Sequence, residues 1–336
     1  MPENLRKASL YLRSTRAYWG IQDPEQSLKV DPGILGRYPL DLEPRLTGGH
    51  FTNFDQAGLP IHIRTDGRGF LHNYSTISGF GLGYWNRYLR NGKPADLDRL
   101  LLVADYIVKT SHKDGNIVRL RAERLGAGHV GEVSALWQGE SISVLCRAWY
   151  ATKEARYLEM AFALVPLFDV PVEQGGVLGR ITRRDVAWYE EYVQQPLGHV
   201  LNGMLVALLG LRDLALLTSH RRATELFQEG IAHVIAALPE FDSGFWSWYL
   251  ISETGSPYIA SMGYHILHVR LLSALAKHTG QTDLAKQAER FKSYARAPVN
   301  RCRAVIHIFK QKARAKILNK LSRAEADKNM AVNQDI

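Results

Sequence analysis

The chain has 336 residues, 46% hydrophobic and 22% charged, a balance that excludes a disordered polyampholyte and allows one large domain or two ordinary ones. Its net charge of +9 is concentrated at one end, with nine Lys or Arg against three acids after residue 296, so the body carries no basic patch that would mark nucleic-acid binding. Two widely separated cysteines, Cys146 and Cys302, exclude a disulfide framework and a cysteine zinc site, and they fit a reducing, cytoplasmic setting.

The first residues, MPENLRKASLYLRSTRAYWG, lack the unbroken apolar core of a signal peptide. Residues 1–72 are rich in Pro, Gly and aromatics, as in GILGRYPLDLEPRLTGGHF, and predict a small segment of strands and coil. From 73 to 297 the texture changes to pairs of helical segments joined by short polar turns. ISGFGLGYWNRYLRNG precedes PADLDRLLLVADYIVKT, where Pro94 suits a first helical turn. EVSALWQGESISVLCRAWYATK precedes EARYLEMAFALVPLF, and LGHVLNGMLVALLGLRDLALLT precedes HRRATELFQEGIAHVIAALP. ASMGYHILHVRLLSALAKHTG then precedes QTDLAKQAERFKSYA.

Apolar residues recur at three and four, as in Leu267, Leu271 and Leu275. Four successive hairpins predict a mainly α protein, an (α/α) toroid with short β-hairpin loops. In such a ring the first helix of each pair lines the inside. The polar residues of these helices (Gln138, Ser141 and Ser143; His199 and Asn202; Tyr264, His265 and His268) are then expected to face a central cavity. The most apolar stretch, 197–217, is interrupted by His199, Asn202, Arg212 and Asp213, and reads as a buried core helix rather than a bilayer span. Two segments between pairs, VEQGGVLGRITRRDVAWYEEYVQQP and FDSGFWSWYLISETGSPYI, read as hairpins over one mouth of the ring.

The last portion, 298–336, carries a stripe of Ile306, Phe309, Ala313, Ile317 and Leu321 amid Lys and Arg. A basic amphipathic helix over 301–323 either lies on an anionic membrane surface, at the inner membrane, or packs its stripe on the toroid or on a partner such as a second copy.

The residues able to do chemistry cluster in the two loops and the last inner helix: Glu191, Tyr192, Tyr249 and Tyr264. A stabilised tyrosinate or a carboxylate can remove a weakly acidic carbon-bound proton, and a neutral phenol opposite can return one. The dianion that develops beside a carboxylate needs a cation, and Arg183 and Arg184 share the loop of Glu191. His265 and His268 lack a clear third ligand, so no metal is expected. Gly79, Gly81 and Gly83 do not follow a strand, so they mark close helix packing and not a dinucleotide loop.

From about residue 75 to 297 these pieces together resemble the C-terminal domain of the D-glucuronyl C5-epimerases. SALWQGESIS resembles the family's Ser-Ala-Met-x-Gln-Gly-x-x-Ile-Ser helix, and WYEEYVQQPLGHVLNG its Trp-Tyr-Glu-Glu-Tyr-Pro…Val-Leu-Asn-Gly segment. FDSGFWSWYL resembles its Tyr-Asp-x-Gly…Tyr loop, and SMGYHILHVRLL its Tyr-His-x-x-His-Ile helix. The resemblance implies an α-helical toroid that binds an acidic uronate polysaccharide of heparosan type and inverts C5 of glucuronate to give iduronate, with no cofactor. It implies catalytic roles for Tyr192, Tyr249, Tyr264 and Glu191, and places Gln138, Asn202 and His265 around the same cleft. If the C5 carbanion instead expelled the C4 substituent the site would be a lyase, and a toroid that only binds acidic glycan is the third alternative. Two departures stand out. The family's Asp-Leu-Arg-His after the loop tyrosine is here Leu250, Ile251, Ser252 and Glu253, without the arginine, and only about 70 residues precede the toroid, too few for the β-rich portion of animal members.

Overall fold

The structure is a computed structural model describing residues 28–63, 70–121, 123–124, 128–129 and 133–314. Eight helices alternate in chain order between an inner and an outer layer: α1 (Tyr74–Asn91), α2 (Pro94–Thr110), α3 (Ala135–Thr152), α4 (Ala155–Leu164), α5 (Leu201–Thr218), α6 (Arg221–Ala237), α7 (Met262–Thr279) and α8 (Thr282–Arg296). Odd-numbered helices pack side by side in the order α1, α3, α5, α7, and each even-numbered helix packs on its predecessor. Outside these pairs a further long helix, α9, runs over 298–314. The expected toroid of four hairpins is what forms.

The layering follows from the side chains. Residues 135–148 of α3 and 201–214 of α5 are all buried, which only a helix surrounded on every side can satisfy. The outer helices keep a polar face, so α8 buries only Leu284, Ala288 and Phe291. The apolar helix Leu201–Thr218 is long enough to cross a membrane, yet 78% of it is buried inside the protein. The backbones of α3 and α5 touch: a Cβ on Gly139 would lie 2.4 Å from Ala207 Cα, and one on Gly210 2.1 Å from Gly139 O. A second lock is ionic. Asp213 Oδ2 accepts from Arg147 Nη1 at 2.5 Å and from Ser143 Oγ at 2.8 Å, while its Oδ1 accepts from Arg212 Nη1 at 2.9 Å.

The strands are short. In chain order they are β1 (His62–Ile63), β2 (Phe70–His72), β3 (His112–Asp114), β4 (Ile117–Arg119), β5 (Glu123–Arg124), β6 (Gly128–His129), β7 (Leu178–Ile181), β8 (Val186–Tyr189), β9 (Gly198–Val200), β10 (Trp248–Ser252) and β11 (Tyr258–Ile259). They form sheets β1-β2-β5-β6, β3-β4, β7-β8 and β11-β10-β9. Both expected loop hairpins are present, as β7–β8 and β10–β11. One boundary differs. Residues 198–200, read from periodicity as the start of a helix, pair antiparallel with β10, Val200 opposite Leu250. Tertiary strand pairing overrides the local helical pattern here, and it ties the two site loops together.

The described part of the N-terminal segment packs into the ring. Tyr38, Leu40 and Leu42 belong to the main core, and buried Asn86 of α1 clamps their backbone, accepting from Tyr38 N and donating to Tyr38 O and Leu40 O. The turn Gly33–Leu35 packs on α5 and the one-turn helix Glu43–Thr47 on α1. This segment therefore roofs one side of the ring's mouth.

Candidate active site

A cavity of about 570 Å³ opens between the N-terminal segment and the inner helices. Its wall includes Arg45 and His50 from the segment, Ser75 and Thr76 from α1, Ser134, Trp137 and Glu140 at α3, Glu191 and Tyr192 after β8, Asn202 at the start of α5, and Tyr264 of α7. The helices converge here with their N-terminal turns, capped at α1 by Asn73 Oδ1, which accepts from Ser75 N and Thr76 N, and at α7 by Ser261 Oγ, which accepts from Tyr264 N.

The four groups that resemblance put forward as catalytic come together at this mouth. Tyr192 Oη and Tyr249 Oη are 3.3 Å apart, and the rings of Tyr249 and Tyr264 lie 4.7 Å apart between centroids. Asn202 Nδ2 donates to Glu191 Oε2 at 3.2 Å. Burial pushes the Glu191 carboxyl up to about 7, against hydrogen bonds from Tyr192, Asn202 and Tyr249 that pull it down. Burial, and then the neighbouring Glu191 charge, push the phenols of Tyr192 and Tyr249 above the ordinary tyrosine range. A tyrosinate base is thus disfavoured at both positions, and Glu191 is the group balanced near neutrality. Its place depends on Gly203: a Cβ there would lie 2.6 Å from Glu191 Cβ and 2.7 Å from Oε2.

Other expected site residues sit elsewhere. Gln138 is fully buried, donating to Val118 O and Leu164 O and accepting from Leu120 N, so it stitches α3 to two neighbouring segments. His265 stacks on Trp246 at 3.6 Å, accepts from Ser247 N through Nδ1, and donates from Nε2 to Phe291 O. Burial lowers it to about 4, which keeps it neutral; it positions the strand that carries Tyr249 and does not face the cavity. Arg183 and Arg184 both pair with Glu240 on the outside of the β7–β8 hairpin, and Arg183 Nη1 also donates to Ser252 O. Of the polar insertions expected to face the cavity, only Asn202 and Tyr264 line it. The reason is packing: below the mouth the ring is filled, so Ser141, Ser143, His199 and His268 must find partners within the protein.

Sequence reasoning passed over three features. Arg45, in the segment read only as strand and coil, supplies the cavity's guanidinium. Glu140 is only 7% exposed on the cavity wall, and burial pushes it up to about 8, opposed by a Ser75 hydrogen bond and Arg45 and reinforced by Glu191. Its only signal in the sequence was a lone acid among the polar residues of an inner helix. His199 is held between two acids, Nδ1 to Glu190 Oε1 at 2.7 Å and Nε2 to Glu253 Oε1 at 2.9 Å. Glu253 also accepts from Thr182 N, so the residue standing where the family's loop has a different run joins both hairpins through one imidazole. Among the described residues no group of three or more His, Cys, Asp or Glu could hold a metal ion.

Comparison with known proteins agrees with this architecture. The chain is 33% identical over 211 residues to the D-glucuronyl C5-epimerase of Caenorhabditis elegans, covering 57% of this chain and 34% of that protein. It is 37% identical over 117 residues to an uncharacterized protein of Methanocaldococcus jannaschii, covering 34% of this chain and 38% of that one. The chain thus spans little more than a third of the length of the curated relatives it matches. Among solved structures it is similar in fold to cellobiose 2-epimerase from Bacillus thermoamylovorans, with a TM-score of 0.54 at 10% identity over 88% of each chain. The same enzyme from Spirochaeta thermophila gives 0.51 at 13% identity over 85% of this chain and 84% of that one. Residues 118–293, more than half of the sequence, match the family described as D-glucuronyl C5-epimerase C-terminus, and to that family the chain belongs.

Proposed function

We propose that the protein is a uronate C5-epimerase acting on glucuronate residues of a heparosan-like acidic polysaccharide. The observation that carries this reading is the set formed by Glu191, Tyr192 and Tyr249 at the mouth of a cavity that also holds an arginine. Three buried polar atoms on that wall, Ser134 Oγ, Glu140 Oε2 and Asn202 Oδ1, have no hydrogen-bond partner among the described residues, a pattern that suits a polyhydroxyl ligand.

In this reading the uronate carboxylate pairs with Arg45. Glu191 takes the proton from C5, and the electron pair moves onto the carboxylate, which becomes a dianion. Arg45, and Glu140 in its protonated form, stabilise that charge because they are already oriented when it develops. Tyr264, reaching the cavity from a different element than Glu191, donates its phenolic proton to the opposite face of C5. Its phenolate then regains a proton from solvent, to which Tyr264 is 39% exposed, and Glu191 releases its own.

Incubation with heparosan in deuterium oxide is expected to place deuterium at C5 and convert glucuronate to iduronate, with no unsaturated, ultraviolet-absorbing fragments. Absence of label in every uronate polymer offered would refute the proposal, and unsaturated ends would convert it to a lyase. Gly203→Ala is expected to lower the exchange rate by about 100-fold, since a misplacement of an ångström or so at a reacting group costs that much. The melting temperature should also fall, because overpacking against Glu191 costs about 1–3 kcal/mol and the helix preference of alanine, about 1 kcal/mol, offsets only part of it; thermal melts beside exchange kinetics check both.

A further inference from the structure

Helix α9 (298–314) has two unlike faces. Toward the protein, Ala304 and Ile308 are buried with Phe245, Trp246, Ile259 and Met262. Gln311 Nε2 donates to Pro257 O at 2.8 Å, and its Oε1 accepts from Ile259 N at 3.1 Å. Arg303 lies over the Phe245 ring at 4.1 Å. Buried side chains and paired hydrogen bonds thus seat the helix firmly against the β10–β11 hairpin.

At 100° per residue, positions 299, 302, 306, 309 and 313 fall on the face directly opposite Ala304, Ile308 and Gln311. They are Val299, Cys302, Ile306, Phe309 and Ala313, all exposed; Val299 is 70%, Ile306 53% and Phe309 41% open to solvent. The cations lie along both edges of this stripe, Arg301 and Lys312 on one side and Arg303, Lys310 and Arg314 on the other. No acid occurs between residues 297 and 324, and beyond the described residues the sequence continues with Lys316, Ile317, Lys320, Leu321 and Arg323.

We infer that this outer face of α9 docks on an anionic lipid surface, with Val299, Ile306 and Phe309 entering the acyl boundary and the flanking cations meeting the headgroups. Burial of the packed face alone explains an amphipathic helix, but not a second apolar stripe with cations on both borders. Charge complementarity selects the partner. A second copy of α9 would bring cationic borders against cationic borders in either orientation, whereas anionic headgroups neutralise both at once. Because α9 packs on the hairpin bearing Tyr249, docking would bring that hairpin within about one helix diameter, 10–12 Å, of the bilayer. Such an arrangement suits a substrate chain presented at a membrane. The inference does not depend on the reaction proposed above.

The test is co-sedimentation of the full chain with phosphatidylcholine vesicles that contain or lack phosphatidylglycerol. Binding is expected only with the anionic lipid, falling with salt, and reduced at least about 10-fold in Arg301→Glu/Lys310→Glu. Circular dichroism and the thermal melt should be unchanged in that variant, which shows that it folds. An environment-sensitive fluorophore on exposed Cys302, whose companion thiol Cys146 is buried, should blue-shift its emission on anionic vesicles. Equal binding of the charge variant, or no binding by the native chain, overturns the inference. So does a stable dimer in sedimentation equilibrium that Ile306→Ser/Phe309→Ser dissociates. Emission from labelled Cys302 that is already blue and unmoved by vesicles would overturn it too, by showing a segment of this chain covering the face.

Discussion

Glu191→Gln is expected to reduce C5 exchange by about 10²–10⁴-fold, the range by which a positioned base accelerates proton transfer. Glutamine keeps the acceptor for Asn202 and the shape of the site, so loss of rate would report loss of the base. In the native chain, kcat/KM should rise with pH through about 7, where the buried carboxyl ionises, and the variant should lack that limb. Stability should move the other way. The folded carboxyl titrates near 7 against about 4.5 for the ordinary group, so between those values the folded state binds more protons than the unfolded one. Stability from this group is then lost as pH rises through that window. Above it the glutamine variant, having no charge to bury, should melt higher than the native protein. A variant that melts lower at pH 8, or that keeps the native pH–rate profile, would remove Glu191 from the role assigned here.

Asp213→Ala is expected to destabilise the fold by about 3–5 kcal/mol, the cost of stranding buried charge when one partner of an enclosed pair is removed. Asp213 is inaccessible and takes hydrogen bonds from Arg147, Ser143 and Arg212, so its loss leaves the Arg147 guanidinium, also inaccessible, without its counter-ion. The charges tie α3 to α5 along the length where Gly139 and Gly210 bring their backbones into contact, and local slackness would be felt at both helices. Urea titration measures the effect. Replacing Arg147 with methionine and Asp213 with leucine together should recover part of the loss, since it removes the enclosed guanidinium and leaves only Arg212, which is 8% exposed, without its carboxylate. Equal loss in the single and double variants would mean that packing, and not charge, dominates at this position.

Much of the architecture was legible because helix periodicity is a local property. The segment PADLDRLLLVADYIVKT is helix α2 residue for residue, with Pro94 in its first turn. The alternation of mostly apolar and half-apolar helices, as between LNGMLVALLGLRDL and TDLAKQAERFKSYAR, fits an inner and an outer layer. Where a polar residue on an inner helix points was not legible, because the same composition serves a lined cavity and a satisfied core. Gln138 and His265 resemble site residues in sequence and are spent on backbone carbonyls and amides. Asn202, a few residues from His199, turns to the mouth instead.

The proposed catalytic quartet was nominated through motif resemblance, and the chain's own order carried it: the strand–acid–tyrosine run, the loop tyrosine and the helix tyrosine resemble the family's sequence. Its electrostatics came only with the fold, since a carboxyl's titration depends on how much water surrounds it and on which dipoles face it, and neither is encoded in neighbours along the chain. The choice of Glu191 over a tyrosinate follows from that burial. Likewise the arginines on the same loop as Glu191 are turned outward to Glu240, while Arg45, separated from it by two whole helical hairpins, lines the cavity with it. Sequence by itself determined the periodic elements, their layering and the identity of the acid and phenols, because these depend on spacing and side-chain chemistry. Only the tertiary structure decided which polar groups meet, because closing a ring joins residues that the chain holds far apart.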